Sequence, residues 1–192
     1  QESRGLGDVY KRQVHPCDDV SAEELTAQLL DLNGPSYMRT TRNKVPRMYE
    51  DGDKLRIGKG SVLKEGDDLA IFSCGVMVVE AMAASDTLSA EGIECSVVDM
   101  HTIKPLDKSL ISKLATRCGC FVSAEDHSVI GGLGGALSEW IAANNPIPLE
   151  MVGVKDMFGQ SGSSSELMEI MGLTQTEICE AARRAIGRKN SL

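Results

Sequence analysis

With 192 residues, 42% of them hydrophobic and 25% charged, the chain has ordinary globular composition and room for one large domain or two small ones. A formal net charge of -8 argues against nucleic-acid phosphates as a partner. No apolar stretch approaches the roughly 20 residues that cross a bilayer, and the polar N-terminus lacks the apolar core of a secretory signal, so a membrane is not an expected partner either. Four of the six cysteines, Cys74, Cys95, Cys120 and Cys179, sit in apolar patterns, which predicts buried thiols in a reducing cytoplasm. Cys118 and Cys120 form C-x-C with no second pair, and there are only three histidines, so no metal site is expected.

Residues 1–13 are polar and aperiodic. Their end, GDVYKRQ, looks like a translated library adapter, so the stretch reads as a non-native or disordered leader. In residues 14–43, Ser21 and Glu24 have the spacing of a capping box before Leu25, Leu29 and Leu32, and Asn33-Gly34-Pro35 ends that helix. Ser36 to Arg42 has strand character. One helix and one strand cannot bury a core, so this segment reads as a fragment of a second α/β domain. Residues 44–66 are charged and glycine-rich, an interdomain linker in which Leu55–Ile57 and Ser61–Leu63 are possible edge strands.

Residues 67–192 are regular. Apolar runs at Leu69–Cys74, Cys95–Met100, Cys120–Val122 and Leu149–Val154 predict strands, and residues 101–105 a loop. Between the strands lie helical patterns on Met77, Ala81, Ala84 and Leu88, on Leu110, Ile111 and Leu114 after an Asp107 cap, and on Leu133, Leu137, Trp140 and Ile141. Ser163 and Glu166 cap a short helix that Gly172 ends, and Thr174 and Glu177 cap the last one. Continuous apolar strands alternating with helices predict a mostly parallel sheet covered on both faces, a Rossmann-like three-layer sandwich.

Three places invite chemistry. The cluster Gly131, Gly132, Gly134 and Gly135 suggests a phosphate cradle, but Leu137 stands where the dinucleotide fingerprint needs a small residue, so close packing is the simpler reading. Glu125, Asp126 and His127 follow a strand and combine carboxylate with imidazole, the ingredients of acid–base work; the simpler reading is a loop whose acids favour the next helix start. Arg39 and Arg42 could clasp a phosphate or form surface ion pairs. Ser161 lacks the frame of a nucleophile elbow. No catalytic residue is assigned.

DMHTIKPLD (from Asp99), SAEDHSVIGGLGGAL (from Ser123) and GVKDMFGQSGSSSEL (from Gly153) resemble the C-terminal domain of transketolases, most closely that of the C-terminal subunit of split transketolases. NGPSYMRTTRNKVP (from Asn33) resembles the end of that subunit's pyrimidine-binding domain. The resemblance implies ketol transfer between sugar phosphates in the pentose phosphate pathway, with thiamine diphosphate and Mg²⁺ held by segments not matched here. It implies an inactive fragment whose partners are an N-terminal subunit or domain and a second copy, in the cytoplasm. It also carries over one residue: Arg42, in Thr40-Thr41-Arg42, matches the arginine that binds the sugar phosphate. Deoxyxylulose-phosphate synthase and the assembly domain of E1 β-subunits share parts of these motifs, and a small nucleotide-binding regulator is a further alternative.

Overall fold

The computed structural model describes residues 10–42 and 44–191, so leader residues 1–9 lie outside it. Its main sheet has five strands: β3 (Ser61–Lys64), β4 (Leu69–Ser73), β5 (Cys95–Asp99), β7 (Phe121–Ser128) and β8 (Leu149–Val154). They lie in the order β3-β5-β4-β7-β8, with β3 antiparallel to β5 and every other pairing parallel. The linker thus ends inside the sheet, since β3 falls within residues 44–66, whereas Leu55–Ile57 forms no strand.

Alternate residues of each central strand enter different cores, as the two-residue period of a strand requires. Leu69, Ile71, Val97, Val122 and Ala124 pack with α2 (Met77–Ala90) and α6 (Gln175–Lys189). Small residues line that contact, Ala81 and Ala84 on one helix and Ala181, Ala182 and Ala185 on the other. Ala70, Phe72, Val98 and Phe121 pack with α3 (Lys108–Cys118) and α4 (Leu133–Asn144) on the opposite face. There Phe72 and Phe121 meet edge to face, with ring centroids 4.8 Å apart. The expected three-layer sandwich is therefore present. The caps at Asp107, Ser163–Glu166 and Thr174 are also where the sequence places them, and Gly172 takes the left-handed conformation that ends α5 (Ser164–Met171).

The N-terminal segment departs further from the sequence reading. β1 (Arg12–Val14) starts inside the predicted leader and pairs in parallel with β2 (Ser36–Met38). Its other edge pairs with β6 (Thr102–Lys104), which replaces the loop expected at residues 101–105. α1 (Asp19–Leu30) begins three residues before the predicted box: Asp18 is its cap, accepting from the Ser21 amide at 2.8 Å, while Glu24 pairs with Lys54 at 2.7 Å. Asp18 wins because its other oxygen also accepts the amides of Met48 and Tyr49, satisfying linker backbone as well as the helix end. Among the described residues the segment contributes only a small cluster of its own. Val14, Cys17, Val20 and Leu25 pack against Tyr49 and Leu55 of the linker and Val78 of α2.

Candidate functional site

In an open parallel sheet the ligand crevice lies beyond the carboxyl ends of the strands where the chain reverses direction across the sheet. Here the chain runs from β4 outward to β5, then returns to β7 on the other side, so the reversal lies between β4 and β7. The N-terminal segment fills that crevice. The His15 ring lies against Gly75, just past β4, so closely that a Cβ at Gly75 would sit 2.2 Å from Nε2; Gly75 has φ 57°. Arg39 reaches from the end of β2 to β7. Its guanidinium donates to the Asp126 carbonyl oxygen and, at 3.0 Å, to the Asp126 carboxylate. A cavity of about 110 Å³ remains, lined by His15, Arg39, Cys74, Glu125, His127 and Gly132 among others.

The predicted triplet Glu125, Asp126 and His127 lies within β7 rather than in a loop, because the strand runs on to Ser128. The register against β8 is irregular between Ala124 and Ser128, and the three side chains diverge. Glu125 is 4% exposed, and its two oxygens accept the amides of Leu133 and Gly134, both at 2.8 Å. It caps α4, placing a negative charge on the positive end of the helix. Gly132 is required at that cap, since a Cβ there would come within 2.1 Å of Glu125 Oε2. Gly134 is also closely approached: a Cβ there would lie 2.7 Å from Ser123 Oγ and 2.9 Å from Met151 Sδ. Asp126 is committed to Arg39. His127 is exposed, with Nδ1 2.8 Å from the Ser128 carbonyl oxygen and 3.9 Å from Glu125.

The glycine turn does not fit a diphosphate. The helix end that would hold one is already occupied by the buried Glu125 carboxylate, which would repel it. Among the described residues no three His, Cys, Asp or Glu side chains are placed to share a metal ion. The six cysteines are free and buried. Burial pushes the thiols up, Cys95 to about 12 and Cys120 to about 11, so they are poor nucleophiles.

Arg42 lies in a different place. It is exposed, and among the described residues no carboxylate pairs with it. It lines a cleft of about 840 Å³ together with Arg39 and Asp126, and with Gln160, Ser164 and Leu167 from the β8–α5 loop and α5. The structure thus puts Arg42 and Asp126 on one cleft and turns Glu125 away into the helix cap.

Two groups that matter went unnoticed in the sequence. Burial, with Arg39 and His127 nearby, pulls the His15 imidazole down to about 4 and keeps it neutral, and among the described residues Nε2 has no hydrogen-bond partner. Asp99 is wholly buried at the end of β5. Its Oδ2 accepts from Tyr49 Oη at 2.9 Å and Cys17 Sγ at 3.4 Å, while Oδ1 has no partner among the described residues. Burial pushes Asp99 up to about 7 against the pull of those two hydrogen bonds. An acid inside the apolar run CSVVDM was the available signal.

A family model described as "Transketolase, C-terminal domain" matches residues 58–178. The chain belongs to the transketolase family. It is 41% identical over 175 residues to the 6-deoxy-6-sulfo-D-fructose transketolase subunit SqwH of Clostridium sp. (strain MSTE9), covering 91% of this chain and 54% of that protein. It is 36% identical over 170 residues to an apulose-4-phosphate transketolase subunit of Phocaeicola vulgatus, covering 88% and 54%. A 1-deoxy-D-xylulose-5-phosphate synthase of Trichormus variabilis is 34% identical over 179 residues, 91% of this chain but 28% of that one. Among solved structures, a split gene transketolase, described as an inactive β4 tetramer, superposes with a TM-score of 0.91 at 38% identity over 93% of this chain and 59% of that one. The chain spans about half the length of the transketolase subunits it matches.

Proposed function

We propose that this chain is the C-terminal portion of a split transketolase, and that Arg42 binds the phosphate of the sugar substrates. In this reading residues 14–43 are the end of a pyrimidine-binding domain, joined by residues 44–66 to the C-terminal domain. The complete enzyme moves a two-carbon ketol unit from a ketose phosphate to an aldose phosphate. Thiamine diphosphate supplies the carbanion chemistry and, with Mg²⁺, is held by other segments; no group of this chain is given a step in that chemistry. The partners are an N-terminal subunit and a second copy of this chain, and the setting is cytoplasmic pentose phosphate metabolism.

Family membership supports the activity. The observation that supports the site is that Arg42 is exposed and lines an open cleft, with no carboxylate among the described residues paired to it. A planar guanidinium suits two parallel hydrogen bonds to a phosphate. The isolated chain is expected to show neither ketol transfer nor thiamine-diphosphate binding, and to contribute to transfer once combined with an N-terminal subunit. Turnover by the chain alone overturns the fragment reading. A preference for pyruvate as donor in the complete enzyme would move the assignment to deoxyxylulose-phosphate synthase.

A further inference from the structure

We infer that Asp126 is a positioning residue for the phosphate site: through Arg39, the C-terminal domain fixes the loop that presents Arg42. This inference rests on the reading of Arg42 above. The construction begins in β7. The register of β7 against β8 is broken between Ala124 and Ser128, and such irregularities re-aim side chains and release backbone groups from the ladder. Gly153 on β8 makes room for it, since a Cβ there would come within 2.8 Å of the His127 carbonyl oxygen. Asp126 consequently presents both its carbonyl oxygen and its carboxylate to one guanidinium.

Arg39 is held at three points. Its amide donates to the Val14 carbonyl oxygen at 3.0 Å, continuing the β1–β2 pairing, and its guanidinium makes the two contacts with Asp126. Arg42 follows three residues later, so its Cα lies within roughly 10 Å of a fixed point. Arg39 and Asp126 are 87 residues apart in sequence and both line the Arg42 cleft. Arg39 is committed to this clamp, which leaves Arg42 to meet the ligand. Each member of the pair is about one-third exposed, so its contribution to overall stability is small and its consequence is geometric.

The sign of one measurement separates positioning from mere proximity. Asp126 is a negative charge on a cleft assigned to a phosphate. If it acts only as a neighbouring charge, Asp126→Asn removes a repulsion and tightens phosphate binding. If it positions, Asp126→Asn loosens the loop and weakens binding. The full chain would be titrated with D-ribose 5-phosphate and with D-ribose, followed by NMR of backbone amides and arginine side chains, in wild type, Asp126→Asn, Asp126→Glu and Arg42→Ala. We expect wild type to prefer the phosphorylated sugar and Arg42→Ala to lose that preference. Asp126→Asn should weaken ribose 5-phosphate binding about three- to tenfold with an unchanged thermal midpoint, and Asp126→Glu should recover part of it. Unchanged or tighter binding in Asp126→Asn, with Arg42→Ala impaired, overturns the positioning role alone. No preference in wild type, or none lost in Arg42→Ala, overturns the phosphate site and this inference with it.

Discussion

The region from β3 to α6 and the segment from β1 to β2 are held in place by different forces. In the first, consecutive strands and helices bury their own apolar faces, and both sides of the sheet are filled by residues such as Ile71, Phe72, Leu88, Leu114 and Leu137. In the second, a few apolar residues are supplemented by polar contacts to distant chain: the Arg39 guanidinium just after β2 with Asp126, Cys17 Sγ with Asp99, and the Gly75 amide donating to the His15 carbonyl oxygen at 3.3 Å. Apolar burial is non-directional and tolerates repacking, whereas each of these polar contacts depends on one partner's position. The cleft that we assign to the substrate lies on the seam between the two regions, where a fixed guanidinium can be presented without burying it.

The contrast can be broken at several points. Leu137→Ala removes a fully buried side chain from the core under α4 and should cost about 2–5 kcal/mol, read by urea denaturation through Trp140 fluorescence. Gly75→Ala places a Cβ against the His15 ring at a backbone angle disfavoured for alanine, at a cost of about 1–3 kcal/mol. If the two regions are separable, hydrogen exchange should accelerate in β1 and β2 while β4 and β7 stay protected; uniform acceleration would show a single cooperative unit. Glu125→Gln turns one of two accepting oxygens into a donor facing an amide and should cost about 1–3 kcal/mol, with early fraying of α4.

Asp99 gives the seam a pH dependence. Its folded value, about 7, lies above the ordinary carboxylate value, so the folded chain binds the proton more tightly than the unfolded one. Its contribution to stability is therefore fully present at low pH and is lost as pH rises from about 4 through about 7. His15 and His101, both pulled down to about 4 by burial, act in the opposite direction, losing stability as pH falls from about 6.5 through 4. The difference between wild type and Asp99→Asn isolates the acid. The variant should remove a downward slope of at most about 1.4 kcal/mol per pH unit between pH 5 and 7, and an identical pH profile would refute the assignment. Smallest of all, Arg42→Ala should leave stability within about 0.5 kcal/mol, because the side chain is exposed and unpaired with any described carboxylate.

The two regions also differ in how far the sequence revealed them. In the C-terminal region the apolar period, the caps at Asp107, Ser163 and Thr174, and the left-handed Gly172 were all readable, because each depends on residues within a few positions of one another. In the N-terminal segment Ser21 and Glu24 have the right spacing for a capping box, yet Asp18 caps the helix because linker amides arrive from 30 residues away. β6 has no strand signal of its own because its strand partner among the described residues is β1, about 90 residues distant. At the site, the triplet Glu125, Asp126 and His127 stands out as chemistry, but nothing local shows that one acid caps a helix and the next holds an arginine.

By itself the sequence determined the alternation of strand and helix, the layered architecture, the helix ends and the family, since periodicity, capping and motif order are short-range properties. Only the tertiary structure decided what the polar residues do. Closing the sheet brought Arg39 to Asp126, Tyr49 and Cys17 to Asp99, and His15 to Gly75. Whether a charged side chain is a cap, a clamp or free for a ligand depends on which distant backbone or charge reaches it first, and only the closed fold fixes that.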